Sequence, residues 1–177
     1  MKKLFFSVLL GLYIATAFSQ IKHTVTQSSI TFQIKNLGIN TSGSFSGLEA
    51  DIQFDPAHLE SSTIEASVDA GTINTDNDTR DDHLKSDSYF DAAKYPKIIL
   101  KSVSFKHKSG NRYTGKFNLT IKDKTNPVEL PFVYTEAGNT ASFKGNLQIK
   151  RTDYGVGRPS MIMSNDVTIF IDVATTK

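Results

Sequence analysis

The chain has 177 residues, no cysteine, and 20 Lys and Arg against 18 Asp and Glu. Lys2 and Lys3 belong to an N-terminal export signal over residues 1–19, so 20 − 2 = 18 basic residues face 18 acidic ones in the remainder. Near-neutrality gives no support to a broad electrostatic attraction to nucleic acid or anionic lipid, and an exported cysteine-free chain has no disulfides, so residues 20–177 must cohere as one domain around an apolar core.

The signal reads from "MKKLFFSVLLGLYIATAFSQ": two lysines, a short apolar run, and small residues at Ala17 and Ser19. The run is too short for a bilayer span and no cysteine follows it to carry a lipid anchor, so a periplasmic or secreted location is expected.

Strand patterning follows. Ile30, Phe32 and Ile34 alternate with Thr31, Gln33 and Lys35, the period-two signature of a strand with one buried face. Between residues 42 and 54 the apolar parity changes at Gly47, from Phe45 to Leu48, Ala50, Ile52 and Phe54, which predicts a bulge or kink. Ile64, Ala66, Val68 and Ala70 form a further apolar face, and Ile98, Leu100 and Ser102 with Val103 and Phe105 another. Tyr113, Gly115, Phe117, Leu119 and Ile121 share a face, as do Val128, Leu130, Phe132 and Tyr134, then Ala141, Phe143, Gly145, Leu147 and Ile149, then Val167, Ile169, Ile171 and Val173. About eight strands, each with one apolar face, predict an all-β fold: an eight-stranded antiparallel up-and-down barrel, with a two-sheet sandwich as the competing architecture.

Up-and-down order sends alternate connections to opposite rims. One rim takes the plain turns near residues 55–62, 108–111 and 136–139; the other takes residues 36–41, 78–96, 122–127 and 152–165. Arg80, Asp81, His83, Arg151 and Asp153 are thereby expected at a common mouth. "DTRDDHLKSDSYFDAAKYP", residues 78–96, interrupts the strand pattern: Thr75 or Asn77 can cap one helical turn and Asp87 a second, while Pro96 restarts extended chain. A metal stripe of His83, Asp87 and Asp91 would need an unbroken helix, and the cap-like residues 86–88 break it, so no metal site is expected. The segment instead predicts a short helical insertion closing one rim as a lid, with Leu84, Tyr89, Phe90 and Tyr95 facing the barrel. His23, His58 and His107 read as solvated, and neither "GSFSG" nor "YGVGRP" has the spacing of a nucleophile elbow or a dinucleotide loop.

Phe32, Phe45, Phe117, Leu119, Phe132, Phe143, Leu147 and Ile149 would form an apolar inner wall suited to a hydrocarbon chain. Gly115 and Gly145 either leave room in that wall or let the strands coil at barrel corners. There is no tryptophan to plug the interior. Arg80, His83 and Arg151 are candidates to bond a polar head at the mouth. Arg151 shares the inward parity of Ile149 and needs Asp153, Asp81 or a ligand head group as partner.

The segments "FQIKNLGINTSGSFSGLEADIQFDP", "INTDNDTRDDHLKSDSYFDAAKYPKI", "TGKFNLTIKDKTNPVELPF" and "IKRTDYGVG" closely resemble the YceI-like family of bacterial periplasmic proteins. The resemblance implies a lipocalin-like barrel with a helical insertion, binding of a long polyisoprenoid chain inside it, and a carrier role without catalysis or cofactor. A periplasmic carrier or scavenger of isoprenoid or quinone-like lipid is the expected function, its ligand drawn from a membrane, with a dimer among the open oligomeric states. Two alternatives stand beside it: a metal-assisted enzyme at the rim acting on such a lipid, and an interaction module whose barrel is filled.

Overall fold

Alternation of apolar and polar residues produces nine antiparallel segments in the computed structural model, which describes residues 21–177; the expected signal over residues 1–19 lies outside them. The order is β1 (Lys22–Asn36), β2 (Ile39–Phe45), β3 (Glu49–Gln53), β4 (Thr63–Asp69), α1 (Asp78–Lys85), β5 (Lys97–Ser109), β6 (Arg112–Ile121), β7 (Lys124–Ala137), β8 (Thr140–Lys150) and β9 (Met163–Thr176). Sequential strands pair from β3 to β9, and β1 pairs with β9 from Thr24↔Thr176 to Asn36↔Met163, which closes the sheet. β2 and β3 lie on the same side of β1, β2 beside residues 30–36 and β3 beside Lys22 and His23. They are one strand broken at Gly47, whose φ is +69°, so the barrel has eight strands rather than two stacked sheets. The kink falls where the parity change placed it.

The two rims differ as up-and-down order requires. The connections after β1, β4, β6 and β8 meet at one end, and the short turns at 110–111 and 138–139 lie at the other with residues 54–62. At that second, closed end the interior is solid. Phe54 is fully buried, and its ring meets those of Phe105, Tyr113, Phe132, Tyr134 and Phe143 at centroid distances of 5.0–5.6 Å. Edge-to-face contacts dominate, the arrangement the ring quadrupole favours. This aromatic plug does the work that no tryptophan is present to do.

His23 corrects the reading of that residue as solvated: it is buried within the plug. Its Nε2 donates to the Phe54 carbonyl and its Nδ1 accepts from Thr175 Oγ1, both at 3.0 Å. A register shift between Val25 and Gln27 is the cause, because one extra residue reverses the inward parity that Ile30, Phe32 and Ile34 set. His58 likewise has a partner, Asp55 at 2.7 Å, and His107 bonds the Gly110 carbonyl. Another shift, between Ser102 and Ser104, turns Val103 out to solvent and returns Phe105 to the core.

The inward glycines do not leave room. A Cβ on Gly115 would stand 2.3 Å from the Phe117 ring, and one on Gly145 2.6 Å from the Pro131 carbonyl. The first glycine seats a neighbouring ring and the second lets two strands approach closely.

Candidate functional site

Above the plug the barrel is hollow. A cavity of about 250 Å³ is lined almost wholly by apolar side chains from every strand. All eight of the wall residues expected from the sequence line it: Phe32, Phe45, Phe117, Leu119, Phe132, Phe143, Leu147 and Ile149. The chamber also shows in burial: Ile30, Ile64, Ile98, Leu100, Val167, Ile169 and Ile171 point inward yet are only partly buried. An inward apolar residue keeps that exposure when nothing sits opposite it. Two alanines deepen the wall: Ala50 pairs with Ala66, Ala66 pairs with Leu100, and all three line the cavity. A smaller engineered cavity of about 150 Å³ lined by Leu, Ile and Phe stays dry and takes up benzene, so a larger one of the same chemistry favours hydrocarbon over water.

Residues 70–96 arch over the mouth. Asn77 caps α1 by accepting from the Arg80 amide at 2.9 Å, and the helix ends at Lys85, with Ser86 as its C-cap. Residues 86–95 continue as turns instead of a second helix. Leu84, Tyr89 and Phe90 face the cavity, with Phe90 edge-on to Phe45 at 5.6 Å and Phe45 against Phe32 at 5.6 Å. Thr75 ties the arch together. Its amide donates to both Asp81 carboxylate oxygens at 3.0 and 3.2 Å, and its hydroxyl donates to Oδ1. Arg80 then donates from Nε to Thr75 Oγ1 at 2.7 Å and from Nη2 to the Thr75 carbonyl at 2.6 Å. These bonds hold the Asp81 carboxyl below the usual carboxylate range, the Thr75 hydroxyl first among the causes. Gly43 makes this possible: a Cβ there would stand 2.4 Å from the Phe32 ring and 2.8 Å from the Thr75 methyl.

Arg151 is the other charge at the mouth, and its partners differ from those expected. It is buried, but neither Asp153 nor Asp81 pairs with it. Its Nε donates to the Ser164 carbonyl, its Nη1 to Val156 and its Nη2 to Arg158, each at 2.9 Å. Backbone carbonyls supply the compensation that a carboxylate was expected to give, and Arg151 thereby folds residues 155–164 around its fork. Burial lowers its pKa without discharging it. Tyr154, just before that segment, and Val156 within it are buried where β7 and β8 part above Phe132↔Gly145.

The three head-group candidates are therefore not equivalent. Arg80 and Arg151 line the cavity, Arg151 with every nitrogen engaged and Arg80 with Nη1 left over. His83 lies outside, in a polar recess with Asn36, Asp87, Ser88, Arg158 and Met163, its ring edge-on to Tyr89 at 5.0 Å. Tyr89 lines both spaces and divides them. Among the described residues no three His, Asp or Glu side chains converge as metal ligands.

A closed antiparallel barrel, plugged at one end and holding an apolar chamber at the other, is a lipocalin-like architecture. The chain belongs to the YceI-like domain family, whose model matches residues 22–175. A UPF0312 protein of Yersinia pestis is 29% identical over 151 residues, 81% of this chain and 78% of that protein, and one of Vibrio cholerae is 26% identical over 136 residues, 73% of this chain and 72% of that protein. Among solved structures, Burkholderia cenocepacia BcnA superposes with a TM-score of 0.81 at 27% identity, covering 84% of this chain and 96% of its own. A polyisoprenoid-binding domain from Saccharophagus degradans, implicated in plant cell wall breakdown, shares the fold with a TM-score of 0.67 at 13% identity, covering 88% and 97%.

Proposed function

We propose that this protein binds the chain of a polyisoprenoid or quinone-like lipid in the chamber above the aromatic plug, and carries or sequesters it in the periplasm or outside the cell. The observation that carries the reading is the chamber itself, a mouth-to-plug space walled by Ile, Leu, Val and Phe. The polyisoprenoid-binding domain from Saccharophagus degradans with the same fold supports the ligand class. A branched, flexible hydrocarbon exploits such a wall through many weak contacts, needs no hydrogen bonds, and leaves no polar group unpaired.

The affinity available is sufficient. A five-carbon prenyl unit contributes about 1.5 kcal/mol at roughly 0.3 kcal/mol per heavy atom, so about five or six buried units, packed in a folded chain, bring binding to about the micromolar range. A polar head left at the mouth would find Arg80 Nη1 nearest at hand. Arg151 acts through the backbone it holds, fixing residues 155–164 at the rim. On this reading the protein is a binder and no residue performs chemistry. Native mass spectrometry of protein purified from its own host tests the proposal: a co-purifying lipid, exchangeable for added prenyl quinol, is expected, whereas a barrel that is always empty and ignores added quinol overturns it.

A further inference from the structure

We infer that the open rim is a membrane-docking surface that seats the barrel mouth on an anionic phospholipid bilayer; the inference rests on the reading of the chamber as a lipid site. Six large apolar side chains are exposed among the described residues, and four of them, Leu37, Ile39, Met161 and Ile162, stand on two neighbouring tips at the mouth. Met161 is wholly exposed and Leu37 and Ile39 are each 70% exposed. The tips are joined, since the Leu37 amide donates to the Ile162 carbonyl at 2.7 Å. Asn36, Thr41, Val156 and Met163, from the same two segments, line the chamber. Exposed tips and cavity wall thus form one apolar path out of the barrel.

Charge and backbone point the same way. Within residues 35–41 and 155–165 the charged residues are the cations Lys35 and Arg158, and Asp87 of the lid shares a recess with Arg158. Apolar side chains flanked by cations suit a surface that offers acyl chains beneath anionic head groups. Leu37 also occupies a left-handed position, φ +50°, in the two-residue turn it makes with Gly38 at φ +78°. Such a turn favours asparagine, and leucine there costs stability while leaving its side chain mostly exposed. A role outside the fold accounts for a residue the fold itself disfavours. Delivery through the tips would let a lipid pass from bilayer to chamber without crossing water.

Flotation with phosphatidylethanolamine–phosphatidylglycerol vesicles tests this. The parent protein is expected to float, and the triple variant Leu37→Asn, Met161→Ser, Ile162→Ser to bind about tenfold more weakly or worse. Replacing phosphatidylglycerol by phosphatidylcholine should weaken the parent by roughly fivefold. Because the chain has no tryptophan, Met161→Trp gives a single reporter: a blue shift on adding vesicles and quenching by brominated acyl chains are expected. A parent that does not float, a variant that floats equally, or an unshifted reporter overturns the inference. So does self-association through the tips with no vesicle binding, which would make the face a contact between copies. A short, water-soluble prenyl alcohol titrated without vesicles keeps the two readings apart: parent and variant should bind it equally, and failure there counts against the chamber and leaves docking to the vesicle result.

Discussion

Substituting Ala66 by phenylalanine separates a hollow barrel from a solid one, because the two respond with opposite signs. Ala66 faces the chamber between Ala50 and Leu100, where it contributes only a methyl group to the wall. A ring placed there enters free space, so the empty protein should gain about 1–2 kcal/mol from added apolar burial after strain is allowed for. For a domain of this size that raises Tm by roughly 2–8 °C. The same ring displaces about one or two prenyl units from a bound chain, a loss of roughly 1.5–3 kcal/mol, or about ten- to 150-fold in Kd. Differential scanning calorimetry of lipid-free protein and fluorescence titration with a prenyl quinol read the two effects separately. A variant that unfolds shows that no free volume exists at Ala66; one that is stabilised yet binds as before shows that the ligand lies elsewhere.

Phe54→Ala should cost about 3–5 kcal/mol at its fully buried position and extend the chamber into the plug, which denaturant melts and binding of a longer prenyl chain would register. Arg151→Met should cost about 3 kcal/mol and lower Tm by roughly 6–12 °C, because the carbonyls of Ser164, Val156 and Arg158 lose their donor together; hydrogen exchange at residues 155–164 should rise with it. Burial, foremost, lowers the His23 pKa below 6.5. The unfolded chain therefore takes up a proton that the folded one refuses, and His23 contributes stability that is complete above pH 6.5 and declines as pH falls toward the folded pKa. His58 runs oppositely, its pKa raised chiefly by its bond to Asp55, so the comparison to make is Tm at pH 7 and pH 5 for the parent and for His23→Gln. The variant's fall between the two should be the smaller, and equal falls would remove His23 from the account.

Strand number, the kink at Gly47 and the clustering of Arg80, Asp81, His83 and Arg151 at one rim were legible because inward parity and up-and-down order are local properties of the chain. The residues lining the chamber were legible for the same reason. Which inward positions meet across the barrel was not: Phe132 and Phe143 reach into the plug and Ile169 into open space, yet all three look alike along a strand. His23 was misplaced because a bulge leaves no mark in composition and reverses every residue beyond it. The carbonyl partners of Arg151 were hidden because they depend on the path of an irregular segment, where no period relates position to direction. The docking tips were visible only as residues; their exposure and their hydrogen bond are properties of the fold.

The chamber's role as a chain-binding site is tested most directly by calorimetric Kd values for a series of prenyl alcohols of increasing length. From Val167 to Val173 the wall runs 173 − 167 = 6 residue steps along β9, about 20 Å of strand and roughly 15 Å of depth at a tilt near 40°. Affinity should rise about tenfold with each prenyl unit until the chain reaches Phe54, then stop rising. An affinity independent of chain length, or one that climbs without limit as micelle-like aggregation would, contradicts a chamber of fixed depth.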